Sequence, residues 1–222
     1  MRRLLLLALL LSAATATRAE HRVTHDFNST IAAANIRRII VDIPAGEVRV
    51  RNSAKNAINL SGYVRKEYDG LHERERMQRL VDEIDVEIYV NGEEAVIRRR
   101  FGPNATGWRA TKLTKFQVEL EVPVGTNLNF ETKAGEVWLD GSFGNVDVDL
   151  RAGEIHVRTP RAAVHTLSAS VRMGEVHTNL GDRTIDREGM FPGTTHYVNA
   201  QGGKSALDLH TTFGEVHVTL TP

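Results

Sequence analysis

"RAGEIHVR", Arg151–Arg158, has four near copies in the same chain. They are "PAGEVRVR" at Pro44–Arg51, "KAGEVWLD" at Lys133–Asp140, "RMGEVHTN" at Arg172–Asn179 and "TFGEVHVT" at Thr212–Thr219. After Gly153 the residues alternate polar and apolar: Glu154, Ile155, His156, Val157. Before it, Val146 to Arg151 alternate as well. That period of two marks a half-buried strand on each side of the glycine. The same register surrounds Gly174 and Gly214. Glycine suits the corner between the two strands because it reaches positive φ at little cost, and Ala45, Ala134 and Ala152 are small enough to tuck under the turn.

Gly135, Gly153, Gly174 and Gly214 are separated by 18, 21 and 40 residues. A spacing near 20 fits stacked repeat architectures, and the 40-residue gap suggests one degenerate copy between Gly174 and Gly214. The expected fold is all-β: a right-handed β-solenoid-like stack of two-strand coils about 4.8 Å apart. An antiparallel β-sandwich is the alternative, since alternation alone does not separate the two. Val137, Ile155, Val176 and Val216 should face inward, and Glu136, Glu154, Glu175 and Glu215 outward.

Leu71–Asp85, "LHERERMQRLVDEID", breaks the pattern. Leu71, Met77, Leu80, Val81 and Ile84 fall near helical spacing, which predicts one amphipathic helical insertion over about 71–85. Strands should follow at Val86–Val90, Ala95–Arg100 and Phe116–Val122. "FGPNATGWRA" reads as a loop, and Gly181–Tyr197 as a second irregular segment.

The first residues, "MRRLLLLALLLSAATATRAE", place two arginines before an apolar run and small residues after it, the pattern of a secretory signal peptide over 1–19. Residues 20–222 then form a single repeat-containing β domain with no transmembrane segment in the mature chain. Loss of Arg2, Arg3 and Arg18 from 28 basic residues leaves 25 against 28 acidic, which argues against a nucleic-acid partner. The chain has no cysteine, so an exported protein here is built without disulfides.

The leader, "VDIPAGEVRVRN", the helical insertion and the repeated "TKAGEVWLDG", "LRAGEIHVRT" and "TTFGEVHVTL" together resemble the bacterial putative-adhesin domain family, whose members repeat a t-x-x-G-[DE]-[VI]-x-[VIL] unit. The resemblance covers roughly Ile36 to Leu220. It implies a β-solenoid-like fold, an envelope or surface location and no established enzymatic activity.

No catalytic motif stands out. "GGKS" at Gly202–Ser205 lacks the upstream glycine of a phosphate loop, since that position is Val198, and reads as a turn. "HERER" at His72 has Arg76 where a zinc helix needs its second histidine. The repeat itself carries the one regular constellation. Glu136, Glu154, Glu175 and Glu215 follow the corner glycines, and Trp138, His156, His177 and His217 sit two residues on, on the same face. Glutamates at coil spacing repel by about 1 kcal/mol in water and more near a protein surface. Lys133, Arg151 and Arg172, protonated histidine or a metal could offset that. No catalytic, cofactor or metal site is assigned on this basis, and a solvated, salt-bridged face is the reading adopted. A zinc- or copper-binding ladder of His156, His177, His217, Glu154 and Glu175 is the sharper alternative, and a pH-responsive face a third. In that column His156 and His177 are expected as neighbours, with His217 further along. Trp108 and Trp138 are candidates for stacking on sugars.

These features point to a non-enzymatic exported binding or scaffolding protein whose partner is an unknown envelope or surface component. It would be periplasmic, cell-surface or extracellular and would need no cofactor. The alternatives are a carbohydrate-active β-helix enzyme or an envelope-stress sensor domain.

Overall fold

The computed structural model describes residues 21–103, 105, 114–180, 185–186, 193–199 and 202–222. The proposed leader and Trp108 lie outside these residues. The described chain is all-β with one α-helix and forms a nearly closed, barrel-like sheet. The strands in chain order are β1 (His21–Ala32), β2 (Arg38–Asp42), β3 (Ala45–Ser53) and β4 (Ala57–Tyr68). A short 3-10 turn at Leu71–Glu73 and α1 (Arg74–Asp82) follow, then β5 (Ile84–Asn91), β6 (Glu94–Phe101), β7 (Thr114–Pro123), β8 (Asn127–Phe130) and β9 (Ala134–Asp140). The rest are β10 (Val146–Pro160), β11 (Val164–Thr178), β12 (Ile185–Asp186), β13 (Gly193–Val198) and β14 (Ser205–Thr221). None of the described helices is long and apolar enough to cross a membrane.

The five repeats pair in parallel and in register, which the antiparallel-sandwich alternative does not allow. Gly46 faces Gly135, Gly135 faces Gly153, Gly153 faces Gly214, and Gly214 faces Gly174. Strands β10, β14 and β11 run unbroken through their glycines, so in these three rungs the expected two-strand coil is one long bent strand. Each bend divides a rung into a first and a second arm. The first arms pair in the order β6-β2-β8-β10-β14-β11, and the second arms in the order β7-β3-β9-β10-β14-β11.

The spatial order corrects the expected one. The C-terminal strand β14 lies between β10 and β11, so the rungs follow 46, 135, 153, 214, 174 and not the chain order. Among the described residues there is also no degenerate parallel copy between Gly174 and Gly214. Gly193–Val198, all but its last residue within the segment expected to be irregular, is instead strand β13, which pairs antiparallel with β11, and β12 pairs antiparallel with β13. Antiparallel strands also close the other end, where β4 pairs with β7 and β1 with β4.

At each repeat glycine φ lies between +127° and +145°, in the region that L side chains rarely adopt. A Cβ at Gly174 would run into the Gly214 carbonyl, one at Gly214 into that of Gly153, one at Gly153 into that of Gly135, and one at Gly135 into that of Gly46. At Gly46 the neighbour is Phe116 of β7, where the glycine column ends.

Inside the bend, like residues stack on like. Val48, Val137, Ile155, Val216 and Val176 form one buried column, with Val50, Leu139, Val157 and Val218 beside it. On the first arm Ile39, Leu128, Val146, Leu207 and Leu167 do the same. Full burial of each such side chain contributes about 1.5–3 kcal/mol. The helix is shorter than expected. It stops at Asp82 because Ile84, Val86 and Ile88 alternate and enter β5, so a period of two overrides the helical pattern there. Val81 is buried, and Met77 and Leu80 pack against the core.

Candidate functional site

The parallel register turns the repeat's polar positions into two columns on the outside of the second arm. One holds Gln117, Glu47, Glu136, Glu154, Glu215 and Glu175 in rung order. The other, two residues on, holds Glu119, Arg49, Trp138, His156, His217 and His177. Parallel strands place identical sequence positions side by side, so a repeat with period-two alternation cannot avoid making such columns.

The second column is a continuous stack of flat groups. The Arg49 guanidinium lies 5.2 Å from the Trp138 ring. Trp138 and His156 stack at 3.7 Å and 6°, His156 and His217 at 4.7 Å and 6°, and His217 and His177 at 4.6 Å and 16°. His156 and His177 share the column as expected but are not neighbours, because β14 inserts His217 between them. Trp138 has Arg49 over one face and His156 over the other, which leaves no free ring face for a sugar.

Each carboxylate of the first column is paired along its own strand. Arg49 Nε donates to Glu47, and Trp138 Nε1 donates to Glu136 at 3.1 Å. His156 Nε2 lies 2.9 Å from Glu154 Oε2, and His217 Nε2 lies 2.9 Å from Glu215 Oε2. A carboxylate only accepts, so Nε2 carries the proton in both. His177 Nε2 stands 3.5 Å from Glu175 and 3.7 Å from Glu215, so it bridges two rungs. The repulsion between stacked glutamates is thus offset by these in-strand donors. Among the described residues, Lys133, Arg151 and Arg172, one of the candidate sources of that offset, form no ion pair with them.

The ladder continues beyond the histidines. Tyr63 donates to Gln117 at 3.0 Å, and Gln117 donates to Glu119 at 3.1 Å. One residue pair further along the strands, Arg51 donates to Glu121 at 2.6 and 3.1 Å, and Asn59 donates to the same carboxylate at 2.9 Å. The Asn59 hydrogen bond, then Arg51, hold the Glu121 carboxyl below its ordinary value. Arg49, Arg51, Glu119, Trp138 and Asp140 edge a depression of about 260 Å³ beside the column. Arg49 was readable in the sequence, because the first copy, "PAGEVRVR", puts it where the other copies have Trp or His. Gln117 and Glu119 were not, because β7 lacks the glycine that marks the repeat.

A second polar surface lies on the first arm, at an open depression of about 760 Å³ lined by Asp42, Glu131, Lys133, Asp147, Asp149 and Arg151 among others. The "GGKS" segment bends at Lys204 and leads into β14 at Ser205, with Gly202 at φ +83°.

No protein-family model and no characterised protein matches the sequence. Among solved structures, a putative cell adhesion protein from Clostridium sporogenes is similar, with a TM-score of 0.50 at 9% identity, over 90% of this chain and 100% of that one. A putative adhesin from Bacteroides fragilis matches over 91% of this chain and 99% of that one, at 8% identity and a TM-score of 0.27. The chain therefore shares its overall fold with the Clostridium protein.

Proposed function

We propose that the protein is a non-enzymatic binding or scaffolding protein of the bacterial cell envelope, exported by cleavage of residues 1–19 and acting as a single domain over 20–222. The observation that carries this reading is the flat, in-register ladder of charged and aromatic side chains on the second arm. It is a repetitive surface suited to an extended partner, and Trp138, the one of the two tryptophan candidates for a sugar that lies among the described residues, has both ring faces covered. The resemblance to adhesin-type domains and the adhesion-protein fold point the same way. As part of this reading the rungs are coils of a right-handed solenoid. The short turn at Arg161–Ala163, which carries the chain from the end of β10 to the start of β11, supports the coiling, whatever its hand.

One observation favours a second reading, a carbohydrate-active enzyme. The first-arm depression gathers Asp42, Glu131, Asp147 and Asp149, and paired carboxylates are what glycoside hydrolysis uses. Fractionation of producing cells, followed by incubation of the purified protein with envelope glycans, separates the two. The binding reading predicts a leader-cleaved protein retained with the envelope and no release of reducing ends. Cytoplasmic protein with residues 1–19 intact would contradict it. Reducing ends that disappear in Asp149→Asn would establish the second reading instead.

A further inference from the structure

The insertion of β14 between β10 and β11 makes His217 the centre of the histidine column. Two sets of potential ligand atoms meet there. Glu154, His156 and His217 form one, and His177, Glu215 and His217 form the other, with the ligand atoms of each set within 4.8 Å of one another. The three imidazoles lie on adjacent rungs and are stacked nearly parallel. In all three, Nε2 is the atom nearest the carboxylate column.

We propose that His217 is the shared ligand of a binding site for a borderline divalent transition ion, zinc or copper(II). On one side the site is completed by His156 and Glu154, and on the other by His177 and Glu215. Imidazole nitrogen and carboxylate oxygen are the donors such ions take, and the absence of cysteine leaves no thiolate to favour softer ones. Bond lengths near 2.1 Å bring donors to about 3.4 Å of each other around a tetrahedral ion, so the side chains must close by about 1 Å. They have the room. The His177 and His217 side chains are 45% and 35% exposed and that of His156 19%, and the carboxylate partners are all 47% or more. Binding exchanges an N–H···O bond for a metal bond. The Nε2 proton moves to Nδ1, the freed lone pair ligates, and the carboxylate changes from hydrogen-bond acceptor to ligand. Solvent fills the remaining position.

His217 has one Nε2 lone pair, so the two arrangements exclude each other and the ladder holds one ion. This inference does not rest on the envelope reading, because a metal titration needs no envelope partner. The test is calorimetric titration of zinc chloride into the tag-free mature chain, with a thermal melt beside it. The expected result is one ion per chain and a raised Tm, since a ligand of the folded state stabilises it. His217→Ala should abolish both effects. His156→Ala and His177→Ala should each weaken binding only about twofold, because one of two equivalent modes survives. The double variant H156A/H177A, which keeps His217, should bind no zinc, and it decides the matter if His217→Ala does not fold. Wild-type affinity in His217→Ala or in the double variant, two ions per chain, or no binding at all would overturn the proposal.

Discussion

Gly153 shows how much one residue type fixes in this molecule. It meets two demands at once: a φ of +135° and a neighbouring Gly135 carbonyl where a Cβ would sit. Backbone strain of the first kind costs about 1–3 kcal/mol. The second adds to it, because the obstacle is backbone and cannot rotate away. Gly153→Val should therefore cost at least the upper end of that range, measured by urea unfolding. A loss below about 1 kcal/mol would mean that the rungs are free to spread. The same close approach brings the side chains two positions on the outer face within stacking distance. His156 and His217 are 4.7 Å apart because the backbones behind them are parallel and in register.

Among the elements, β14 has the least expected place and is the most informative. A C-terminal strand often frays or can be trimmed at small cost. Here its 17 residues bond to β10 on one side and to β11 on the other. Removal of Ser205–Pro222 should take away Val216, Val218, Leu207 and Leu209 from the middle of the core and leave two unpaired edges. The truncated chain should show no cooperative thermal transition, and a melting temperature near that of the intact chain would contradict this placement. The strand's existence was legible in "TTFGEVHVT", and so was its inward and outward pattern, because alternation is a local property. Its neighbours were not. Five nearly equivalent copies can stack in more than one order, and nothing in a local repeat records which rung lies beside which. The helix illustrates the same limit. Its apolar face was readable, but its end depended on Ile84, which fits both a helical and a strand period and was claimed by β5.

For the molecule as a whole, the account depends on long-range order. The chain passes from β10 to β11 across a gap of one rung, and its last strand fills that gap. A polar ladder results whose members come from distant parts of the sequence: Arg49, Trp138, His156, His217 and His177. The column itself was foreseeable from the glutamate and histidine spacing. Its order was not, and that order makes His217 the member common to both ligand sets.

Cysteine pairs introduced into a chain that has none test the rung order most directly. A disulfide needs Cα atoms about 4.4–6.8 Å apart. Adjacent rungs are about 4.8 Å apart and alternate rungs about 9.6 Å. Under mild oxidation, H156C/H217C and H177C/H217C should each cross-link within the folded monomer, and H156C/H177C should not. Efficient linkage of positions 156 and 177, with position 217 linking to neither, would contradict the account.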